Sequence, residues 1–197
     1  MNAARRPRGH RMIVRRVKSL QLGAPLCRPF DAVLLTIDAA KTSGVALYLS
    51  GSLRSYAEVK ADDHAARDRV VRDAVTTAVV RGLPVACVIE SSFGGFASAA
   101  MSLASTVKLW RDSWLRERQH EARFFEITVG EWRRALFGRA GMSRTAARQL
   151  EAQVAHTAAR RDLPNVRHWT IGHDACAAIC IGQVMVRSSG LRDALQP

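Results

Sequence analysis

Acidic side chains are scarce in this sequence. Asp and Glu number 17 against 30 Lys and Arg, which leaves a formal net charge of +13 and a pI near 11.0. Residues 1–30 contain no acid at all, while Arg5, Arg6, Arg8, Arg11, Arg15, Arg16, Lys18 and Arg28 crowd that stretch. Long apolar runs are missing too. None approaches the ~18 residues that a membrane-spanning helix requires, so no membrane role is expected. No apolar segment sits within the basic start, so a secretory signal is not expected either. The four cysteines, 27, 87, 176 and 180, include no C-x-x-C pair. No internal repeat or low-complexity tract is evident.

What is present is a strong excess of arginine over lysine, in a chain of 197 residues with 48% hydrophobic content. That length suits one domain and an extension, with a real core. The charge points first to nucleic acid, and then to anionic membrane or acidic protein partners. Arginine favours bidentate phosphate contacts. Residues 1–30 read as a disordered basic arm, and an organelle-targeting segment is the other reading of the same composition. Residues 31–190 read as the folded domain.

Hydrophobic patterning predicts strands over 32–38, 45–50, 53–60, 85–90 and 123–128. It predicts helices over 64–81, 97–118, 129–137, 143–161 and 172–187, with Asp62-Asp63 as the cap of the first. Residues 39–44 read as a turn and 165–170 as a brief extended piece. Three strands in hairpin order, followed by alternating helices and strands, predict a mixed sheet covered by helices.

Three acids stand in apolar surroundings. Asp38 ends the strand Val33-Leu34-Leu35-Thr36-Ile37, and Glu90 ends Val85-Ala86-Cys87-Val88-Ile89. Asp174 opens a helix of small apolar residues, Ala175-Cys176-Ala177-Ala178-Ile179. A carboxylate at the end of a buried strand is costly unless a cation compensates it. In a chain this basic, the trio suggests a divalent-metal site that works on a polyanion. Asp174 as a helix cap, and Glu90 as the partner of an arginine, are the plainer readings. His173, Cys176 and Cys180 could share a helix face for zinc, but one helix rarely supplies three tetrahedral ligands. The cysteines read more simply as small buried hydrophobes in a reducing compartment.

In order along the chain, Thr36-Ile37-Asp38-Ala39-Ala40-Lys41-Thr42-Ser43-Gly44, Val88-Ile89-Glu90-Ser91-Ser92-Phe93, Trp132–Arg144 and His173–Ile179 resemble the motifs of RuvC-type Holliday-junction resolvases. These enzymes belong to the RNase H-like superfamily. The resemblance implies an RNase H-like α/β fold: a mixed five-stranded sheet, with a three-stranded antiparallel meander and two parallel strands, flanked by helices. It implies a Mg²⁺-dependent endonuclease that resolves four-way DNA junctions with two ions, Mn²⁺ serving as a substitute, and leaves 5′-phosphate and 3′-hydroxyl ends. Asp38, Glu90 and Asp174 become the metal ligands, with His173 as a further catalytic candidate. The family's usual fourth metal-site residue, an Asp or His three positions before the last Asp, is here Ile171.

The resemblance also implies DNA contacts from Arg133 and Arg144. Arg134, Arg139 and Arg148 complete the densest basic cluster of the folded region, Lys41 follows Asp38, and Phe93 reads either as a core aromatic or, in a Ser- and Gly-flanked loop, as a ring that stacks on an unpaired base. A homodimer is implied, with helix 97–118 offering Leu103, Val107, Trp110 and Trp114 as its face. The implied setting is the cytoplasm of a bacterial or phage-infected cell, or an organelle matrix. Alternatives are another RNase H-like nuclease acting on RNA–DNA hybrids, flaps or transposon ends, and an inactive nucleic-acid-binding relative. A faint likeness of 38–44 to the phosphate loop of actin-like ATPases fails on length, because that architecture needs two such domains.

Overall fold

The computed structural model describes residues 30–91, 97–117, 123–165 and 170–195. The expectations for the basic arm, for Cys27, for Phe93 and for most of the extended piece at 165–170 fall outside the described residues. The elements in chain order are β1 (Val33–Asp38), β2 (Thr42–Leu49), β3 (Ser52–Lys60), α1 (His64–Arg81), β4 (Val85–Glu90), α2 (Ala97–Glu117), β5 (Phe124–Ile127), α3 (Val129–Phe137), α4 (Arg144–Asp162), α5 (His173–Met185) and α6 (Ser189–Leu195). The five strands form one sheet in the order β3-β2-β1-β4-β5. Strands β1, β2 and β3 pair antiparallel, while β4 runs parallel to both β1 and β5. This is the mixed RNase H-like sheet that the sequence predicts.

Strands β1 and β4 are largely apolar because both of their faces are covered, with Thr36 and the terminal acids Asp38 and Glu90 as the exceptions. On one face, Val33, Leu35, Ile37, Cys87 and Ile89 pack with Val71, Ala74 and Ala78 of α1 and with Val107, Trp110 and Trp114 of α2. On the other, Leu34, Ala46, Tyr48, Ala86 and Val88 pack with α5 and with Ala155, Ala158 and Ala159 of α4. Trp110 and Trp114 are wholly buried in the first layer, and the Trp110 indole donates to Ser43 Oγ at 3.0 Å. This corrects the expected dimer face. Val107, Trp110 and Trp114 hold α2 onto the sheet, and Leu103 packs against the same layer, so this stripe is core. The apolar periodicity is sound, but in a single helix layer it serves the chain's own sheet.

Local signals set the helix ends. Asp63 caps α1 by accepting from the Ala66 amide, and Gly82 closes it at φ 63°. Thr128 and Glu131 form a reciprocal capping box on α3. The structure departs from expectation at residues 42–44, which belong to β2 rather than a turn, and at α6, whose seven residues carry little periodicity.

Gly44 explains the first departure. It pairs with Asp38 on one side and Glu58 on the other, and α5 crosses the sheet directly above it. A Cβ at Gly44 would lie 1.7 Å from the Asp174 carbonyl oxygen. Further along, Thr36 Oγ1 donates to the Ala178 carbonyl at 2.8 Å, and Tyr48 Oη donates to the Ile179 carbonyl at 2.8 Å. Gly182 rests over the Tyr48 ring, 2.0 Å from where its own Cβ would stand. Helix α5 is therefore seated on β1 and β2 by two missing side chains and two buried hydroxyls. Gly44→Ala should destabilise the fold by about 3 kcal/mol, the upper range for overpacking against backbone. Urea denaturation checks this, with Gly138→Ala, where an added Cβ meets nothing within 4 Å, as the comparison for a strained but uncrowded glycine.

Candidate active site

The parallel register of β1 and β4 matches Ile37 with Ile89, so Asp38 and Glu90 follow side by side at the carboxyl ends of the two central strands. Cross-strand neighbours share a face. Both carboxylates therefore point to the side that α5 and α4 cover. The seat of α5 over Gly44 brings Asp174, in its first turn, to the same place. One cavity is lined by Asp38, Glu90 and Asp174, together with Trp132, Arg133, Arg144, Arg148, Glu151, His173 and Ala177. The three acids that the sequence singles out do converge, and His173, Arg133, Arg144 and Arg148 meet them there.

Two of the plainer readings fail at this point. Asp174 is not a cap: Gly172 holds that position, with no side-chain hydrogen bond. Glu90 accepts its hydrogen bond from an indole, Trp132 Nε1, at 2.7 Å. The zinc reading fails as well. Cys176 and Cys180 are buried, and their thiols lie 3.6 Å from the carbonyls of Ile171 and Glu151. Burial pushes the Cys176 thiol up to about 11, which keeps it protonated at neutral pH.

Three of the proposed DNA-contacting residues do not line the cavity. Lys41, Arg134 and Arg139 are exposed on the surface. Arg144 is exposed at the rim, and Arg148 is half-buried beside it.

Two site residues escape the sequence reading. Trp132 is wholly buried, and Glu151 is only 4% exposed. Glu151 looks like the edge of a basic cluster when the chain is read linearly. A helical reading finds it, because Ala147, Ala155 and Ala158 lie four, four and seven residues away on the same buried face of α4. An acid on an alanine stripe is the available signal. Its Oε1 accepts from Arg133 Nη2 at 2.7 Å and from Nε at 2.9 Å. The Arg133 guanidinium also lies 5.2 Å from the centre of the Trp132 ring.

The electrostatics are those of crowded acids. Burial holds the Asp38 carboxyl well above the usual carboxylate range, and Glu90, Asp174 and Glu151 push it further while Arg133 opposes them. No hydrogen bond from a described residue reaches the Asp38 carboxylate. Glu90 is raised by burial against the opposing Trp132 hydrogen bond and Arg133 charge, with Glu151 adding to the rise. Glu151 is raised by burial against Arg133, His173 and Arg148. Asp174 is raised by burial and then by Glu58, the β3 residue across from Gly44, while His173 and Arg148 lower it.

Such a set of oxygen donors suits a hard divalent cation rather than a soft one. As they stand, no three His, Cys, Asp or Glu side chains among the described residues close around a point that could hold an ion. Two of the carboxylates are instead turned to protein donors, Glu90 to Trp132 and Glu151 to Arg133. Asp38, set among three other acids with no hydrogen bond from a described residue, is the group that fits a cation. The residues that would hold it are Asp38, Glu90 and Asp174.

The sheet order, the acids at the ends of β1 and β4, and the helix laid across them define an RNase H-like α/β fold. Within that class the fold is RuvC-like. The chain is similar to the solved structure of Thermus thermophilus RuvC, with a TM-score of 0.52 and 16% identity over 83% of this chain and 97% of that one. It is equally similar to T. thermophilus RuvC in complex with Holliday junction substrate, at TM-score 0.52 and 15% identity over 84% of this chain and 99% of that one. No protein-family model matches the sequence, and no curated protein matches it.

The repulsion gives a testable sign. A carboxyl whose pKa is raised by folding is compatible with the fold while protonated. It subtracts stability as pH climbs from the unfolded carboxyl range through the raised value. With divalent cations removed by EDTA, Asp38→Asn should therefore be more stable than the parent at pH 7, and this advantage should shrink toward pH 4. Urea midpoints of both proteins across that range measure it.

Proposed function

We propose that this chain is a metal-dependent, structure-selective endodeoxyribonuclease that resolves four-way DNA junctions. One observation carries the reading. Half-buried carboxylates from β1, β4 and α5, which are far apart in sequence, meet in a single cavity whose rim is arginine, on a RuvC-like fold. The neighbour in complex with Holliday junction substrate supports branched DNA as the ligand class. The net charge of +13 supports a polyanionic partner.

Two Mg²⁺ ions bound by Asp38, Glu90 and Asp174 would supply an activated water and charge neutralisation at the leaving oxygen, and Mn²⁺ would substitute. The rest falls to the chain itself. Trp132 fixes the rotamer of Glu90 through its indole hydrogen bond. Arg144 and Arg148, on successive turns of α4 at the cavity, would receive the scissile phosphate and its neighbour. His173 stands beside Asp174 at the start of α5, where it can take up or release a proton near the cavity mouth. Trp132 and Ala177, both buried, would exclude water on their side of the cavity. Lys41, Arg134 and Arg139 would contact the junction arms outside the cavity, and Phe93 would stack at the branch point. Two symmetric nicks require two sites, so the reading carries a homodimer. It also carries a bacterial or phage cytoplasm, or an organelle matrix, as the setting.

Incubation with a synthetic four-way junction in Mg²⁺ should yield paired nicks that EDTA abolishes. Asp38→Asn should lower the rate by about a thousandfold or more, on the scale of several kcal/mol of lost transition-state stabilisation, while keeping junction binding. Full cleavage by that variant would remove Asp38 from the site. An RNA–DNA hybrid in the same assay separates the resolvase reading from another RNase H-like nuclease. Binding to the junction without cleavage by the parent chain would identify an inactive relative.

Arg144→Ala should weaken junction binding and reduce the slope of log K against log salt by about 1, the signature of one lost phosphate contact. Binding measured from 50 to 200 mM salt reads this. An unchanged slope would place Arg144 away from phosphate.

A further inference from the structure

Glu151 is a buried acid on an otherwise apolar helix face. It sits on the face of α4 that otherwise carries Ala147, Ala155, Ala158 and Ala159, where a small apolar side chain would pack. A buried ion pair such as Glu151–Arg133 is weak evidence of a stabilising role, because desolvation offsets most of its attraction. Glu151 also adds its charge to Asp38 and Glu90, which already crowd each other. The cavity thus gathers four carboxylates, Asp38, Glu90, Glu151 and Asp174, and Arg133 is the cation paired within it. At the same time Ile171 is apolar and 9% exposed, at the α5-side position where a fourth metal-site group is expected.

We infer that Glu151 supplies the fourth carboxylate of the divalent-cation site, delivered from α4 instead of from the segment preceding Asp174, and that Arg133 competes with the cation for it. The inference rests on the metal-dependent reading above. It follows from geometry that the two roles are linked. Arg133 reaches Glu151 through Nε and Nη2 while its guanidinium lies over the Trp132 ring, and Trp132 in turn holds Glu90. The monovalent guanidinium therefore holds Glu151 and lies over the indole that holds Glu90, between two carboxylates that a divalent ion would draw together. The Cys180 thiol lies 3.6 Å from the Glu151 carbonyl, which ties the backbone of α4 to α5 at this level.

The two roles predict opposite signs for the two halves of one ion pair. In calorimetric titration of the EDTA-stripped full chain with Mn²⁺, Glu151→Gln should weaken binding by about tenfold or more, the usual cost of losing a group that supports a metal site. Arg133→Gln should tighten it by about fivefold or more, because a competing cation is removed. Equal Mn²⁺ affinity in Glu151→Gln and the parent overturns the inference. So does weakening by both variants, which is what a purely structural pair predicts, since either change breaks it. If Glu151→Gln fails to fold, Arg133→Gln decides alone: tightening supports the inference and weakening overturns it. A parent chain that takes up no Mn²⁺ overturns both the inference and the metal-dependent reading. A parent that binds Mn²⁺ with these signs yet nicks no junction supports the Glu151 assignment and overturns only the activity.

Discussion

The close approach of α5 to Gly44 is the constraint on which the site depends. The first turn of the helix lies on bare backbone of β2, so the Asp174 carbonyl occupies space that any side chain at residue 44 would fill. Because Gly44 pairs with Asp38, that seat sets the spacing between Asp174 and the end of β1. Thr36 and Tyr48 then hold the helix direction by donating to consecutive carbonyls of α5. A parallel pairing places Glu90 beside Asp38 without further devices. Three acids distant in sequence are thus brought together by one glycine, two hydroxyls and one strand register.

The cost of that convergence is electrostatic. Asp38 has burial and three neighbouring acids against it, the charge of Arg133 in its favour, and no hydrogen-bond donor among the described residues. Protein donors relieve the others in part: an indole for Glu90, a guanidinium for Glu151, and the Arg148 and His173 charges near Asp174. A fold retaining this arrangement is stable in spite of its site, and the missing compensation is what a divalent cation would provide. The arginines at the rim complete the logic, since a phosphate approaching the cavity needs positive charge where acids dominate the floor.

Much of this is legible in the chain before folding. Continuous apolar runs give β1 and β4 because both faces of those strands are covered, and the acid that ends each run marks the open end of the sheet. The cap at Asp62-Asp63 marks the start of α1, and patterning gives α3 at its observed limits. The dimer stripe on α2 is misread because periodicity reports a buried face without saying what buries it; Trp110 and Trp114 turn inward to the sheet. Residues 42–44 are misread as a turn because Ser and Gly commonly signal turns, whereas here Gly44 is a strand residue under a helix. Glu151 and Trp132 are missed for a different reason. Their roles depend on how α3 and α4 dock, and linear spacing to Asp38 or Glu90 carries no trace of it. Only the helical position of Glu151, an acid among alanines, hints at the site.

The central claim is that these carboxylates form a divalent-cation site. A crystal of the full chain soaked in Mn²⁺, with diffraction collected near the manganese absorption edge, addresses it most directly. The account predicts an anomalous peak within ligand distance of Asp38 and shared with Glu90 or Asp174. Manganese peaks confined to other parts of the surface, with the Asp38 carboxylate contacting none, would contradict it.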